Sequence, residues 1–117
     1  MHNANCGMQN DHVKTAAKNG REMHRNFDYG YDKSLIGKDS PVVKEMYLGS
    51  AGRADCVDRA SRIVYELKPD NPRAISRGIK QLKRYNDALG GDYTCKLALY
   101  SSDGTVRFVE VVSSFLK

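Results

Sequence analysis

Two strand-like runs, RIVYELK at 62–68 and the stretch from Tyr93 to Tyr100, flank one long helical segment. Antiparallel neighbours need only a short turn. A helix-long connection marks a parallel crossover, which is right-handed in nearly every case. The helix signals are local. Asn71-Pro72 sets a capping side chain before a proline at the first helical position. In RAISRGIKQLKRYNDAL, Ile75, Ile79, Leu82 and Leu89 recur at helical spacing and form the face to be buried. Gly90-Gly91 ends the helix. The chain is thus expected to build a sheet with a parallel pair and a helix across it.

The remaining elements extend that unit. Asn10 or Asp11 caps a first helix that runs to about Phe27, with Val13, Ala16, Ala17, Gly20, Met23 (or His24) and Phe27 at helical spacing. DYGYDKSLIGKDSP is a loop broken by Gly30, Gly37 and Pro41. VVKEMYLG reads as the first strand, RADCVD as the second after a bend at Gly49-Ser50 and Gly52, and RIVYELK as the third after a tight Ala60-Ser61 turn. Asp103-Gly104 turns the Tyr93–Tyr100 strand into a last strand at Val106–Val112. The fold class expected is α/β (an α+β mixed sheet) in the order α-β-β-β-α-β-β. Its first three strands form an antiparallel meander.

The chain has 117 residues, of which 40% are hydrophobic and 28% charged, enough for one compact domain. That domain is expected at residues 10–117. Residues 1–9 carry no apolar core of a signal peptide and are expected to be a disordered or cloning-derived start of a fragment from a longer chain. No run approaches a membrane span. The three cysteines, Cys6, Cys56 and Cys95, show no CxxC spacing, and none of His2, His12 and His24 pairs with them at metal-ligand spacing. Cys56 and Cys95 fall in strand-like runs and read as small buried hydrophobes in a reducing environment.

The net charge is +5 and the pI about 9.2. Five cations (Arg73, Arg77, Lys80, Lys83, Arg84) and no acid lie between Asn71 and Asn86. Such a helix is either a solvated face or a polyanion-binding one. Arg73, Arg77, Gln81 and Tyr85, four apart, form one stripe, with Lys80 and Arg84 beside it.

On the third strand Glu66 and Lys68 share one face, with Ile63, Tyr65 and Leu67 on the other. With a two-residue turn at Ala60-Ser61, Asp55 falls opposite Glu66. Directly opposite Cβ atoms are about 4.5–5.5 Å apart. Two carboxylates so close repel, which raises a pKa or calls for a cation. A hard divalent ion prefers such oxygens. Asp, Glu and Lys at one point suit phosphodiester hydrolysis, and a cluster of surface charges fits the same residues.

RAD at 53–55, YELKP at 65–69 and GIKQLKRY at 78–85 together resemble the PD-(D/E)XK restriction-endonuclease-like superfamily. They are most similar to the nuclease domains of bacterial polymorphic and contact-dependent growth inhibition toxins. The resemblance covers residues 52–86 well and the rest by element order. Ala54 stands where the family often has proline. The resemblance implies a metal-dependent nuclease, with Asp55, Glu66 and the Leu67 carbonyl as metal ligands and Mg²⁺, Mn²⁺ or Zn²⁺ as cofactor. It makes Lys68 the catalytic lysine and Gln81 the assisting glutamine. Glu22 would be the additional acid from the first helix, with Glu45 as the alternative. Arg53, Arg73, Arg77, Lys80, Arg84 and Tyr85 would bind nucleic acid, and His24 would support the phosphate.

The resemblance further implies a domain carried by a larger secreted toxin into the cytoplasm of a target bacterium. A cognate acidic immunity protein would cover its basic face. DNA is the expected substrate. Cleavage of RNA such as tRNA, or nucleic-acid binding without catalysis, are the alternatives.

Overall fold

The computed structural model describes residues 20–112. The expected disordered start at 1–9, and the first helix before Gly20, lie outside the described residues. Helix α1 occupies residues 20–26. After a loop with a 3-10 turn at Lys33–Leu35 come β1 (Val42–Tyr47), a 3-10 turn at Gly49–Ala51, β2 (Arg53–Asp58) and β3 (Ile63–Pro69). Helix α2 (Pro72–Ala88), β4 (Thr94–Tyr100) and β5 (Val106–Val111) follow. The order α-β-β-β-α-β-β is the expected one.

The five strands form one mixed sheet in sequence order, β1-β2-β3-β4-β5. The β3–β4 pair is parallel and the other three pairs are antiparallel. The crossover and the three-strand meander therefore form as the sequence predicts. Helix α2 starts where its cap signals put it: the Asn71 side chain accepts a hydrogen bond from the Ala74 N–H at 2.9 Å, with Pro72 in the first turn.

Each face of the sheet carries its own core. Val64, Leu97 and Leu99 pack with Leu82 and Tyr85 of α2 on one side. Cys56, Tyr65, Leu67 and Ala98 pack with Tyr29 and Val42 on the other, joined by Met23 and Phe27. Cys56 and Cys95 are free thiols buried in strands, as expected.

Two expectations need correction. The β2–β3 turn is longer than two residues, because pairing stops at Asp58↔Ile63 and residues 59–62 form the link. The Asp58 carboxylate accepts from the Ala60 and Ser61 N–H groups at 3.0 Å each, an aspartate turn that takes the place of backbone pairing. The register is unaffected. Tyr85, expected on the nucleic-acid face, is 3% exposed, and its hydroxyl donates to the Arg53 carbonyl at 3.1 Å. Each four-residue step advances about 40° round a helix, so a stripe begun at Arg73 has rotated about 120° by Tyr85 and turned into the core.

Candidate active site

The β2–β3 register runs Asp58↔Ile63, Val57↔Val64, Cys56↔Tyr65 and then stops. The next pair would be Asp55 and Glu66. At that point the Asp55 Oδ2 accepts the Leu67 N–H at 2.8 Å. A side chain thus takes a bond that the ladder would otherwise use, and the two strands part. The β1–β2 register also skips one pair beside Asp55, from Lys44↔Cys56 to Met46↔Ala54. The residue skipped is Glu45, at φ 53 in the left-handed region that side chains rarely adopt. Asp55 therefore sits where regular pairing fails on both sides, and backbone irregularity of this kind collects at functional sites.

Glu66 is 4% exposed and Asp55 has 15% of its side chain exposed. Lys68, on the same face of β3, brings its Nζ within 3.5 Å of Glu66 Oε2, with 17% of its side chain exposed. Burial raises the Glu66 carboxyl first, and the Asp55 charge adds to it. The Lys68 ammonium opposes both, and the outcome is about 8. Burial also acts to raise Asp55, but hydrogen bonds from the His24 ring and the Leu67 N–H outweigh it and hold that carboxyl below its ordinary range. The pair behaves as two acids that cannot both ionise without a cation.

One buried oxygen points to what is wanted there. Glu66 Oε1 has no hydrogen-bond partner, and on helix α2 the buried Gln81 Oε1 has none either. An unpartnered carboxylate oxygen in a dry site costs free energy unless something positive meets it. A divalent cation fits this donor chemistry. Among the described residues no three His, Cys, Asp or Glu side chains converge into a ready cage. The donors at hand are two carboxylates, with backbone carbonyl and water to complete the shell in the manner of Mg²⁺.

Helix α2 meets the site through Gly78. A Cβ at that position would lie 2.6 Å from Leu97 Cδ2 and 3.2 Å from Lys68 Cγ. Only a residue without a side chain lets the helix lie against the lysine stem. Gly78 was not singled out from the sequence, although a glycine in mid-helix is itself a signal, because it costs about 1 kcal/mol against alanine.

Arg73, Arg77, Lys80 and Arg84 are all exposed and fall within about 60° of arc on α2. Gln81, half-buried, is on the border between that stripe and the buried face. Arg53 is exposed, with its guanidinium 4.0 Å from the Glu45 carboxylate. Glu45 has 57% of its side chain in solvent. Glu22 is half-buried on α1, and His24 of the same helix stands at Asp55. Its Nε2 is 3.5 Å from Asp55 Oδ2, and its Nδ1 is 2.9 Å from the Gly20 carbonyl. The Asp55 hydrogen bond, partly offset by burial, raises His24 to about 9.

A hollow of about 440 Å³, lined in part by Ile36, Lys38, Lys44, Glu45, Tyr47 and Arg59, opens along β1 at the sheet edge. None of Asp55, Glu66 and Lys68 lines it.

A mixed sheet flanked by helices, with an acid pair and a lysine where its central strands part, defines the restriction-endonuclease-like fold. The chain belongs to the Tox-REase-9 family, restriction endonuclease fold toxin 9, whose model matches residues 12–101. Membership implies a nuclease toxin that acts on nucleic acid. No curated protein and no solved structure matches the chain significantly. Among the described residues no helix is long and apolar enough to cross a membrane.

Proposed function

We propose that the chain is a divalent-metal-dependent DNase domain that hydrolyses phosphodiester bonds inside a target bacterium. The observation that carries this reading is the desolvated Asp55–Glu66 pair, with the Lys68 ammonium 3.5 Å from Glu66. Asp55, Glu66 and the Leu67 carbonyl would hold Mg²⁺, Mn²⁺ or Zn²⁺, which when bound polarises a phosphate oxygen and lowers the pKa of a coordinated water.

The protein's own groups supply the rest. The Leu67 N–H fixes the Asp55 carboxylate in place. Lys68, its stem held against Gly78, presents a fixed positive charge to the charge that develops on the phosphoryl oxygens. Gln81 offers a buried amide oxygen to orient a water or a substrate hydroxyl. The exposed Arg73, Arg77, Lys80 and Arg84 grip the backbone on either side of the scissile bond. The same basic face suits an acidic immunity protein, and delivery as part of a larger secreted toxin suits the family.

The test is cleavage of plasmid DNA and of total tRNA, each with Mg²⁺, Mn²⁺ or Zn²⁺ and with EDTA. DNA cleavage that stops in EDTA, and in Asp55→Ala, Glu66→Gln and Lys68→Ala, is the expected result. Cleavage confined to tRNA moves the substrate to RNA. Cleavage that survives both EDTA and Asp55→Ala removes the site assignment.

A further inference from the structure

We propose that the hollow along β1 is a second nucleic-acid subsite, which takes an unpaired stretch of the strand whose scissile bond lies at Asp55 and Glu66. This inference rests on the function proposed above and names the form of nucleic acid that the site prefers. The hollow, of about 440 Å³, has Lys38, Lys44 and Arg59 in its wall and one acid, Glu45. The Lys44 Nζ donates to the Arg25 carbonyl at 3.0 Å, and an Arg59 guanidinium nitrogen donates to the Ser40 carbonyl at 2.9 Å. A neutral carbonyl holds a cation in position without cancelling its charge. Among the described residues no carboxylate pairs with any of the three cations. The Glu45 carboxylate faces the Arg53 guanidinium instead, at 4.0 Å. Positive charge is thus left over in a recess of the surface, and a polyanion is the ligand that suits it.

Tyr47 adds an aromatic face. It lines the same hollow and, at 76%, is the most exposed large hydrophobic side chain among the described residues. Cations beside an exposed ring hold single strands, because every unpaired base has a face to stack and a duplex hides it. The position suits the strand being cut. Glu45, in the wall of the hollow, is the residue that the β1–β2 register skips beside Asp55. Neighbouring strands of a sheet lie about 5 Å apart, so the hollow is one or two strand widths from the acid pair. Phosphates follow one another about every 3.4 Å along each strand of a duplex, and a few nucleotides cover that distance. None of the α2 cations lines the hollow, so the two basic surfaces can be tested apart.

The experiment is binding of fluorescent oligonucleotides to the whole chain carrying Lys68→Ala, or to wild type in EDTA should that variant not fold. A single strand and the matching duplex are compared across a range of salt, with polyglutamate as a polyanion that has no bases. Tyr47→Ala, Tyr47→Phe, Lys38→Ala and Arg59→Ala are each introduced, all at exposed side chains.

Tyr47→Ala should weaken single-strand binding by about fivefold to a hundredfold, the range found when a stacking aromatic is removed, and leave duplex binding nearly unchanged. Tyr47→Phe keeps the ring and should bind as its parent does. Lys38→Ala and Arg59→Ala should each lower the single-strand salt slope by about 0.7. Single-strand binding untouched by Tyr47→Ala, or weakened equally on the duplex, overturns the inference, while metal-dependent cleavage by wild type keeps the proposed function. Lys38→Ala and Arg59→Ala that weaken polyglutamate binding as much as DNA binding, with Tyr47→Ala silent, assign the hollow to an acidic protein and overturn the inference too. A wild-type chain that neither binds nor cleaves nucleic acid overturns the proposed function and the inference with it.

Discussion

At the scale of single residues, the tension in the site is concentrated in Glu66. Its carboxyl stands at about 8 against an ordinary 4.5 because it is desolvated beside another acid. The sign follows from linkage. A group whose folded-state pKa is raised stabilises the fold fully below its unfolded value and loses that contribution as the pH climbs through the folded one. Metal-free protein should therefore lose thermal stability from about pH 5 to about pH 9 relative to Glu66→Gln, in which no such proton is bound. His24, raised to about 9, contributes in the same direction in both proteins. Melting curves in chelator across that range measure the difference, and added Mn²⁺ should restore the midpoint of wild type more than that of Glu66→Gln. A constant difference between the two at all pH values would contradict the burial argument for Glu66.

The elements decide how the site is held. Helix α2 can lie against β3 only because Gly78 has no side chain at its contact with Leu97 and Lys68. Gly78→Ala should improve intrinsic helix propensity by up to about 1 kcal/mol and yet destabilise the protein, since overpacking of this kind costs about 1–3 kcal/mol. Cleavage should fall further than stability, because the lysine stem is one of the two groups displaced. Denaturation curves beside cleavage rates measured well below the melting point separate the two losses. The helix cap is a simpler case. Asn71→Ala removes the acceptor for the Ala74 N–H and should cost about 1 kcal/mol with cleavage per folded molecule unchanged.

For the whole molecule, the distribution of charge matters more than its total. Four of the five cations of α2, Arg73, Arg77, Lys80 and Arg84, lie on one exposed arc. Each cation withdrawn from a phosphate should reduce the salt slope of binding by about 0.9 on duplex DNA and about 0.7 on a single strand. Arg77→Ala and Arg84→Ala, measured by fluorescence anisotropy on catalytically silent Lys68→Ala protein, should each flatten that slope. No change would mean that the arc is only a solvated face. The two cores keep the sheet in place from both sides. Tyr31 ties the loop after α1 to the sheet through hydrogen bonds to Asp58 and Tyr65, both 2.8 Å.

Much of this was legible in the chain as written. Proline and asparagine punctuation, period-two and helical spacing, and a connection too long for a hairpin fixed the element order, the parallel pair and the β2–β3 register. These are local or pairwise properties, and a sequence records them directly. The register alone set Asp55 opposite Glu66. The inward turn of Tyr85 follows from helical drift within α2, so that spacing was legible too. What needed three dimensions was everything that depends on which surfaces meet: Gly78 emptied to admit Lys68, and a histidine from α1 brought to Asp55. Packing between elements distant in the chain settles such matters, and no spacing within one segment encodes them.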